Sequence, residues 1–359
     1  MQWIGIDLHK KHSRYVVVDQ EGKTVHKRTI ASTPESFRGE FDVYDSREVT
    51  VVLEATINWY WAVDTLQNMG FDVHLANPRK VRLIAESTIK TDTVDATALA
   101  HLLRMNWLPE SRITPRPMRD LRERLRYRIT LVRLGSSIKC RVRALLGKRG
   151  VETPSFSDLF GKAGREWLSQ VALPAEYRAN LNGYLRTLDH LREEIKQVER
   201  WLATSTHTDR DITLLTSIPG IGRFGAALIL AEVGDIGFFR TKRKLSSFVG
   251  VVPGARNSDE HSRDTALKKD SNRYMRWLLA EACTKAIRVV PAWQRLYDRV
   301  RAGSDKRRAK ARVAVMHKMV CAIWRVLATK EGFNRLHNCP ELTATTASSP
   351  LGAGLKQGR

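Results

Sequence analysis

The sequence predicts an α/β domain with mixed strand directions at its N-terminal end, a basic helical and coiled-coil segment after it, and then an all-helical C-terminal domain. Three observations carry this. Over the first hundred residues, short apolar runs punctuated by turn residues surround one stretch at helical spacing. From Pro117 onward apolar residues recur at helical spacing. Within that region, three unbroken heptads fill 181–202.

The elements follow in order. Trp3-Ile4-Gly5-Ile6 leads to Asp7, Tyr15-Val16-Val17-Val18 is a second apolar run, and the Glu21-Gly22 turn precedes a third at Thr24–Thr29, so that a three-stranded meander is expected. Val49–Leu53 reads as a buried strand ending at Glu54, and Val73-His74-Leu75 as a fifth strand closed by Asn77-Pro78. Between them Trp59, Ala62, Val63, Leu66 and Met69 share one helix face. Asp92 and Asp95 stand at the start of a helix running through Ala96–Arg104, and their three-residue spacing puts both on one side. The segment from Pro117 to Gly150 reads as a helix with Leu121, Leu125, Val132, Val142 and Leu146 on one stripe and arginine over much of the rest. Leu181, Tyr184, Leu188, Leu191, Ile195, Val198 and Leu202 form the heptad stripe, which could pair with another subunit or with the preceding helix. Ile218-Pro219-Gly220-Ile221-Gly222 then enters the apolar helix Phe224–Val233. Leu245–Gly250 leads into a loop over Val251–Ser262, and the chain is helical beyond Asp270. Four regions result: 1–110, 111–210, 211–339, and a tail at 340–359 whose Thr, Ser, Gly and Pro predict disorder.

The net charge is +23 over 359 residues, with 61 Lys+Arg against 38 Asp+Glu. Such a field draws a polyanion through counterion release, which makes binding steeply salt-dependent. A basic protein of another kind would share the charge but has no need of the motifs below. Cys140, Cys283, Cys321 and Cys339 are scattered, without CxxC pairs or zinc spacing, which argues against a disulfide framework and structural zinc. No apolar run is long enough to span a bilayer and no secretory leader opens the chain, so a cytoplasmic, nucleoid-associated protein is expected.

The chemistry is concentrated in four acids. Asp7 and Glu54 close the first and fourth strands, where ligand sites of α/β sheets gather, and Asp92 and Asp95 begin a helix. Carboxylates from separate elements suit hard Mg2+ (or Mn2+), and paired ions can stabilise the attacking and leaving oxygens of a phosphoryl transfer. No histidine or cysteine is required. Arg119, Arg122, Arg126, Arg133 and Arg141 offer backbone contacts to nucleic acid, joined by Arg223, Lys268 and Lys269. Gly220 and Gly222 fit a helix-hairpin-helix, in which helix-start amides meet a phosphate.

On GIDLHK, LEAT, KTDTVDA, IPGIG with AEVGD, FVGVVPGARNS and KKDSNRYMR, the chain resembles insertion-sequence transposases of the DEDD type, the family that includes bridge-RNA-guided recombinases and pilin-gene invertases. The likeness spans nearly the whole sequence. It implies an RNase H-like domain of the kind seen in RuvC Holliday-junction resolvases, with Asp7, Glu54, Asp92 and Asp95 as metal ligands. It also implies a C-terminal transposase domain in which Ser258 is the nucleophile, a structured guide RNA alongside DNA, and a homodimer or tetramer. Asp259 and Ser271 stand where the family carries glycine. Two other readings share these residues: a metal-dependent junction resolvase or nuclease, which would use the acids without Ser258, and a non-catalytic nucleic-acid-binding derivative.

Overall fold

The structure is a computed structural model that describes residues 1–84, 92–205, 209–258, 261–267 and 271–333, with 209, 253–258 and 261–267 described by their backbone. It divides into two compact units, Met1–Thr114 and Pro115–Arg359. Lys268, Lys269, Asp259 and the 340–359 tail lie outside the described residues.

The first unit is built on a six-stranded sheet of order β3-β2-β1-β4-β5-β6. Its strands are β1 (Gln2–Leu8), β2 (His12–Val18), β3 (Thr24–Ala31), β4 (Val49–Glu54), β5 (Asp72–Ala76) and the short β6 (Glu110–Ser111); its helices are α1 (Pro34–Phe41), α2 (Trp59–Asn68), α3 (Pro78–Ile84) and α4 (Asp92–Arg104). The expected meander is present, since β1 pairs antiparallel with β2 and β2 with β3. On the other side β1, β4 and β5 run parallel. This is the RNase H-like arrangement.

Strand alternation divides the apolar residues between two layers. Ile4, Ile6 and Leu8 of β1 and Val49, Val51 and Leu53 of β4 pack with Phe37 and Phe41 of α1 and Val63 and Leu66 of α2. Each phenylalanine is fully buried, which stabilises the layer by roughly 1.5–3 kcal/mol per side chain. Trp3, Val16 and Val18 turn the other way against Ala96 and Ala100 of α4, and Val52 and Ala76 pack there on Leu99 and Leu102. With helices on both faces, β4 is buried through Val49–Leu53, which accounts for its largely apolar sequence VTVVL, interrupted only by the small, buried Thr50.

Gly5 decides how closely α4 approaches. A Cβ at this position would lie 2.0 Å from the Ala96 carbonyl oxygen and 2.7 Å from the Ala100 nitrogen. Only a residue without a side chain lets the helix backbone rest directly on β1.

The second unit opens with α5 (Arg116–Lys148), a helix of 33 residues and about 50 Å. After α6 (Lys162–Gln170), α7 (Ala175–Thr204) returns antiparallel along it, as the pairs Arg128–Glu199 and Tyr127–Glu194 near one end and the approach of Gly135 to Leu188 further along establish. Of the two partners open to the heptad stripe, the chain's own α5 and α6 take Leu181 and Leu188, which join Val142, Leu146, Phe160 and Leu168 in one cluster.

The main core surrounds α9 (Arg223–Val233), whose residues from Gly225 to Val233 are all buried. A helix apolar on every side needs neighbours on every side. They include α5, α8 (Asp209–Thr216) and α11 (Arg273–Val289), with α10 (Lys242–Val249), α12 (Pro291–Arg301) and α13 (Arg308–Thr329) completing the unit, and 3-10 turns at Ile236–Phe238 and Asp305–Arg307. Leu125, Ile129 and Leu202 belong to the same core as the residues beyond 211.

One element departs from expectation. Part of the loop read over Val251–Ser262 is a two-stranded hairpin, β7 (Pro253–Ser258) and β8 (His261–Leu267), so the C-terminal helices are interrupted by a small sheet. Its base is fastened where the Asn272 N–H donates to the Phe248 carbonyl at 2.8 Å. The apolar pattern could not reveal it, because ARNS and HSRDTAL contain little to alternate.

Candidate functional site

Asp7 is the penultimate residue of β1 and Glu54 the last of β4. The parallel register pairs Ile6 with Leu53, so the two acids follow as neighbours on adjacent strands. Alternation places Asp7 with Trp3 and Gly5, and Glu54 with Val52, on the α4 side of the sheet. There Asp92 and Asp95 occupy the first turn of α4, directly before the Ala96 and Ala100 backbone that rests on Gly5. The same close approach that removes the side chain of residue 5 thus brings the acidic turn towards Asp7.

Electrostatics records that proximity. Burial pushes the Asp7 carboxyl above the usual carboxylate range; His9 opposes the shift, and the charges of Asp92 and Asp95 add to it. The Asp7 side chain is 13% exposed and that of Asp92 66%, so the cluster runs from sheet to solvent. Like charges gathered this way repel unless a cation or a proton joins them.

Several hydrogen bonds hold the frame. Arg14 lies opposite Asp7 in the β1–β2 register and donates through Nε to the Thr93 hydroxyl at 3.1 Å and through Nη1 to Thr29 at 2.9 Å. Thr93 stands between Asp92 and Asp95 in sequence, so this bond ties the acidic turn to the sheet. The Asn58 amide donates to the His9 carbonyl at 3.2 Å and fastens the segment after β1 to the loop after β4.

His9 was not expected at the site. Its Nε2 lies 3.1 Å from Asp7 Oδ2 and 3.6 Å from Asp92 Oδ1. Among the described residues, Asp7, His9 and Asp92 are the group able to offer three ligand atoms within 4.8 Å of one another. The signal was present in Asp-Leu-His at the strand end, but spacing alone does not say which way a residue beyond the strand turns.

Ser258 ends β7 and pairs with His261 across the hairpin, at the end remote from the Phe248–Asn272 fastening.

The arginines of α5 separate into two sets. Arg119 is 4% exposed. Arg122 donates to the Ala231 carbonyl at 2.8 Å, and Arg126 makes a two-pronged pair with Glu232 at 2.9 and 3.0 Å. Glu232 is itself buried, and it also accepts from the Asn272 amide at 2.7 Å. Asn272 in turn caps α11, accepting from the Tyr274 and Met275 amides. Arg122 and Arg126 are drawn to this buried carboxylate and the neighbouring carbonyl, and Arg119 is buried, in place of the surface contact expected of the three. For Arg122 and Arg126 the reason is Glu232, more than a hundred residues away, which no local pattern links to α5. Arg133 and Arg141 are exposed, and Arg133 lies 5.7 Å from the Tyr274 ring centre.

Helices α8 and α9 are joined by Ser217–Gly222. Gly220 has φ +92°, and a Cβ on it would meet the Ala282 carbonyl at 2.4 Å, so α11 closes one side of the turn. Gly222 caps α9 in extended conformation with open space beside it. The turn, Lys285 and Val289 line a shallow hollow. Arg223 begins α9 and reaches the Ala203 carbonyl at 3.3 Å.

No helix among the described residues is long and apolar enough to cross a membrane.

Comparison with known proteins finds two family matches, the first of which covers the first unit and continues through α5. Residues 4–148 match a transposase family, the DEDD type of IS110, and residues 212–298 match the transposase family IS116/IS110/IS902. The chain is 25% identical to the transposase for insertion sequence element IS1111A of Coxiella burnetii, over 92% of this chain and 90% of that protein. It is 26% identical to a probable family 20 transposase of Pseudomonas aeruginosa, over 79% and 84%. A protein of insertion element IS116 from Streptomyces clavuligerus is 24% identical over 92% of this chain and 96% of its own length.

Proposed function

Because this chain belongs to the DEDD-type transposases of the IS110 family, we propose that it is a site-specific DNA recombinase that excises and inserts its own mobile element, directed to its sites by a structured RNA from the element. The observation that carries the catalytic half is the acidic turn of α4 set beside Asp7 and Glu54 at adjacent strand ends. The RNA half follows from the family resemblance and a net charge of +23, which suits more than one nucleic acid.

The donor set fits a hard divalent cation. Asp7, Glu54, Asp92 and Asp95 supply carboxylate oxygens, the donor type that hard divalent cations prefer. When bound, Mg2+ or Mn2+ would stabilise negative charge on the leaving oxygen of a phosphodiester. Arg14 and Thr93 keep the α4 turn in place, while Asn58 holds the strand ends together.

Ser258 is the proposed nucleophile. Its Oγ forms a bond to phosphorus as the bond from phosphorus to the 3′ oxygen breaks, and the hydroxyl proton passes to that oxygen. The product is a serine-linked 5′ phosphate and a free 3′ hydroxyl. Attack by a 3′ hydroxyl on the serine ester reverses the step and rejoins strands without an outside energy source. A homodimer or tetramer would supply the several active sites that exchange of four strands requires. Arg133, Arg141, Lys268 and Lys269 are proposed to bind nucleic-acid phosphates, with Gly220, Gly222 and Arg223 at the hairpin.

The test is an excision assay on the chain expressed with its native flanking DNA. Wild type should yield a circular junction by PCR, and Ser258→Ala and Asp7→Ala should not. Strand cleavage retained by Ser258→Ala would replace the recombinase with a metal-dependent nuclease or resolvase. RNA co-purified with wild type should be one discrete flank-derived species; random cellular RNA would remove the guide from the proposal.

A further inference from the structure

The placement of His9 bears on which ion the acidic site takes. An imidazole at the end of β1 could be a counter-ion to Asp7 and Asp92 or a ligand that acts with them. Its Nε2 is 3.1 Å from one carboxylate and 3.6 Å from the other, and one ion can be reached by all three groups because their ligand atoms lie within 4.8 Å of one another. The ring is 56% exposed, so its direction is not imposed by core packing. Its backbone is held by the Asn58 bond, which keeps the ring's base beside Asp7. In a mere ion pair either ring nitrogen serves; a ligand must direct one lone pair to the point where the carboxylates converge.

We propose that Nε2 of His9 is a nitrogen ligand to the ion held by Asp7 and Asp92, and that it biases the site towards Mn2+ over Mg2+. Mg2+ favours all-oxygen octahedral surroundings with several waters, whereas Mn2+, though the weakest binder of nitrogen donors among the divalent transition metals, is softer than Mg2+ and accepts an imidazole beside carboxylates. The inference rests on the metal reading of the site, and its test separates the two.

The probe is Mn2+ alone, added to the purified full-length protein and to the His9→Gln and Asp7→Asn variants, with folding checked by circular dichroism. Pulsed EPR of bound Mn2+ reports directly bonded nitrogen through its 14N coupling, without any need for activity. Wild type should show this coupling, and His9→Gln should lose it while still binding the ion. Titration should show His9→Gln weakening Mn2+ by about tenfold or more, since loss of even an indirect ligand partner costs that much, with a smaller change for Mg2+. Absence of coupling in wild type, or coupling that persists in His9→Gln, overturns the proposal; if Asp7→Asn still abolishes binding, the carboxylate site stands without the histidine. No Mn2+ binding by wild type, or binding indifferent to Asp7→Asn, removes both.

Discussion

Replacing Gly5 with alanine tests how the fold makes the site. The added methyl would lie 2.0 Å from the Ala96 carbonyl oxygen and 2.7 Å from the Ala100 nitrogen, both backbone atoms of α4. Ordinary contact begins near 3.4 Å, so roughly 1.4 Å of separation must be gained, and no side-chain rotation can supply it. Helix α4 must lift from β1, or β1 must bow away. Overpacking of this kind costs about 1–3 kcal/mol. The same displacement carries Asp92 and Asp95 from Asp7, and a misplacement of ~1 Å near a reacting centre can cost on the order of 100-fold in rate. Gly5→Ala should therefore melt lower, bind Mn2+ more weakly and lose most excision activity, although it removes no charge. Thermal melting in chelator, Mn2+ titration and the excision assay measure these effects separately. If Gly5→Ala melts with wild type and binds Mn2+ equally well, α4 does not hold the acidic turn by resting on β1.

The buried carboxylate of the second unit gives another test: Glu232→Ala strands Arg126 and frees the Asn272 amide, and should cost about 3–5 kcal/mol in denaturant unfolding. Among the arginines, Arg141→Ala should reduce the slope of log affinity against log salt for DNA by about 0.9, the contribution of one phosphate contact. Arg126→Ala should leave that slope unchanged and lower stability instead. For Asp7, the folded state holds its proton more tightly than the unfolded one, so the folded state carries more bound protons between the two pKa values and native stability falls as pH rises through that window. Asp7→Asn should hence raise the melting temperature in chelator at neutral pH, converge with wild type once the carboxyl is protonated in both states, and lose the stabilisation that added Mn2+ gives wild type.

Much of this was legible in sequence, for a common reason: the signals are local. Strand ends carrying Asp7 and Glu54, the acidic start of α4, and the glycines of the turn before α9 each lie within a few residues of the pattern that identifies them. The heptads of α7 announced a helical partner without naming it, because a stripe records what is buried and not against what; α5 and α6 took its place. The hairpin β7–β8 was hidden because its strands are polar.

Local pattern along the chain was enough for the α/β class of the N-terminal part, most of its strands and helices, and the acids to watch, since alternation and helical spacing are properties of neighbours; the RNase H-like assignment came with the family resemblance. Tertiary structure decided what those residues meet. It buried Arg119, drew Arg122 and Arg126 to Glu232, brought His9 to Asp7 and Asp92, and gave Gly5 its purpose under α4. Each of these depends on distances between segments tens or hundreds of residues apart. Such distances arise only when both layers of the sheet and the packing around α9 form, because burial, unlike periodicity, is a property of the whole fold.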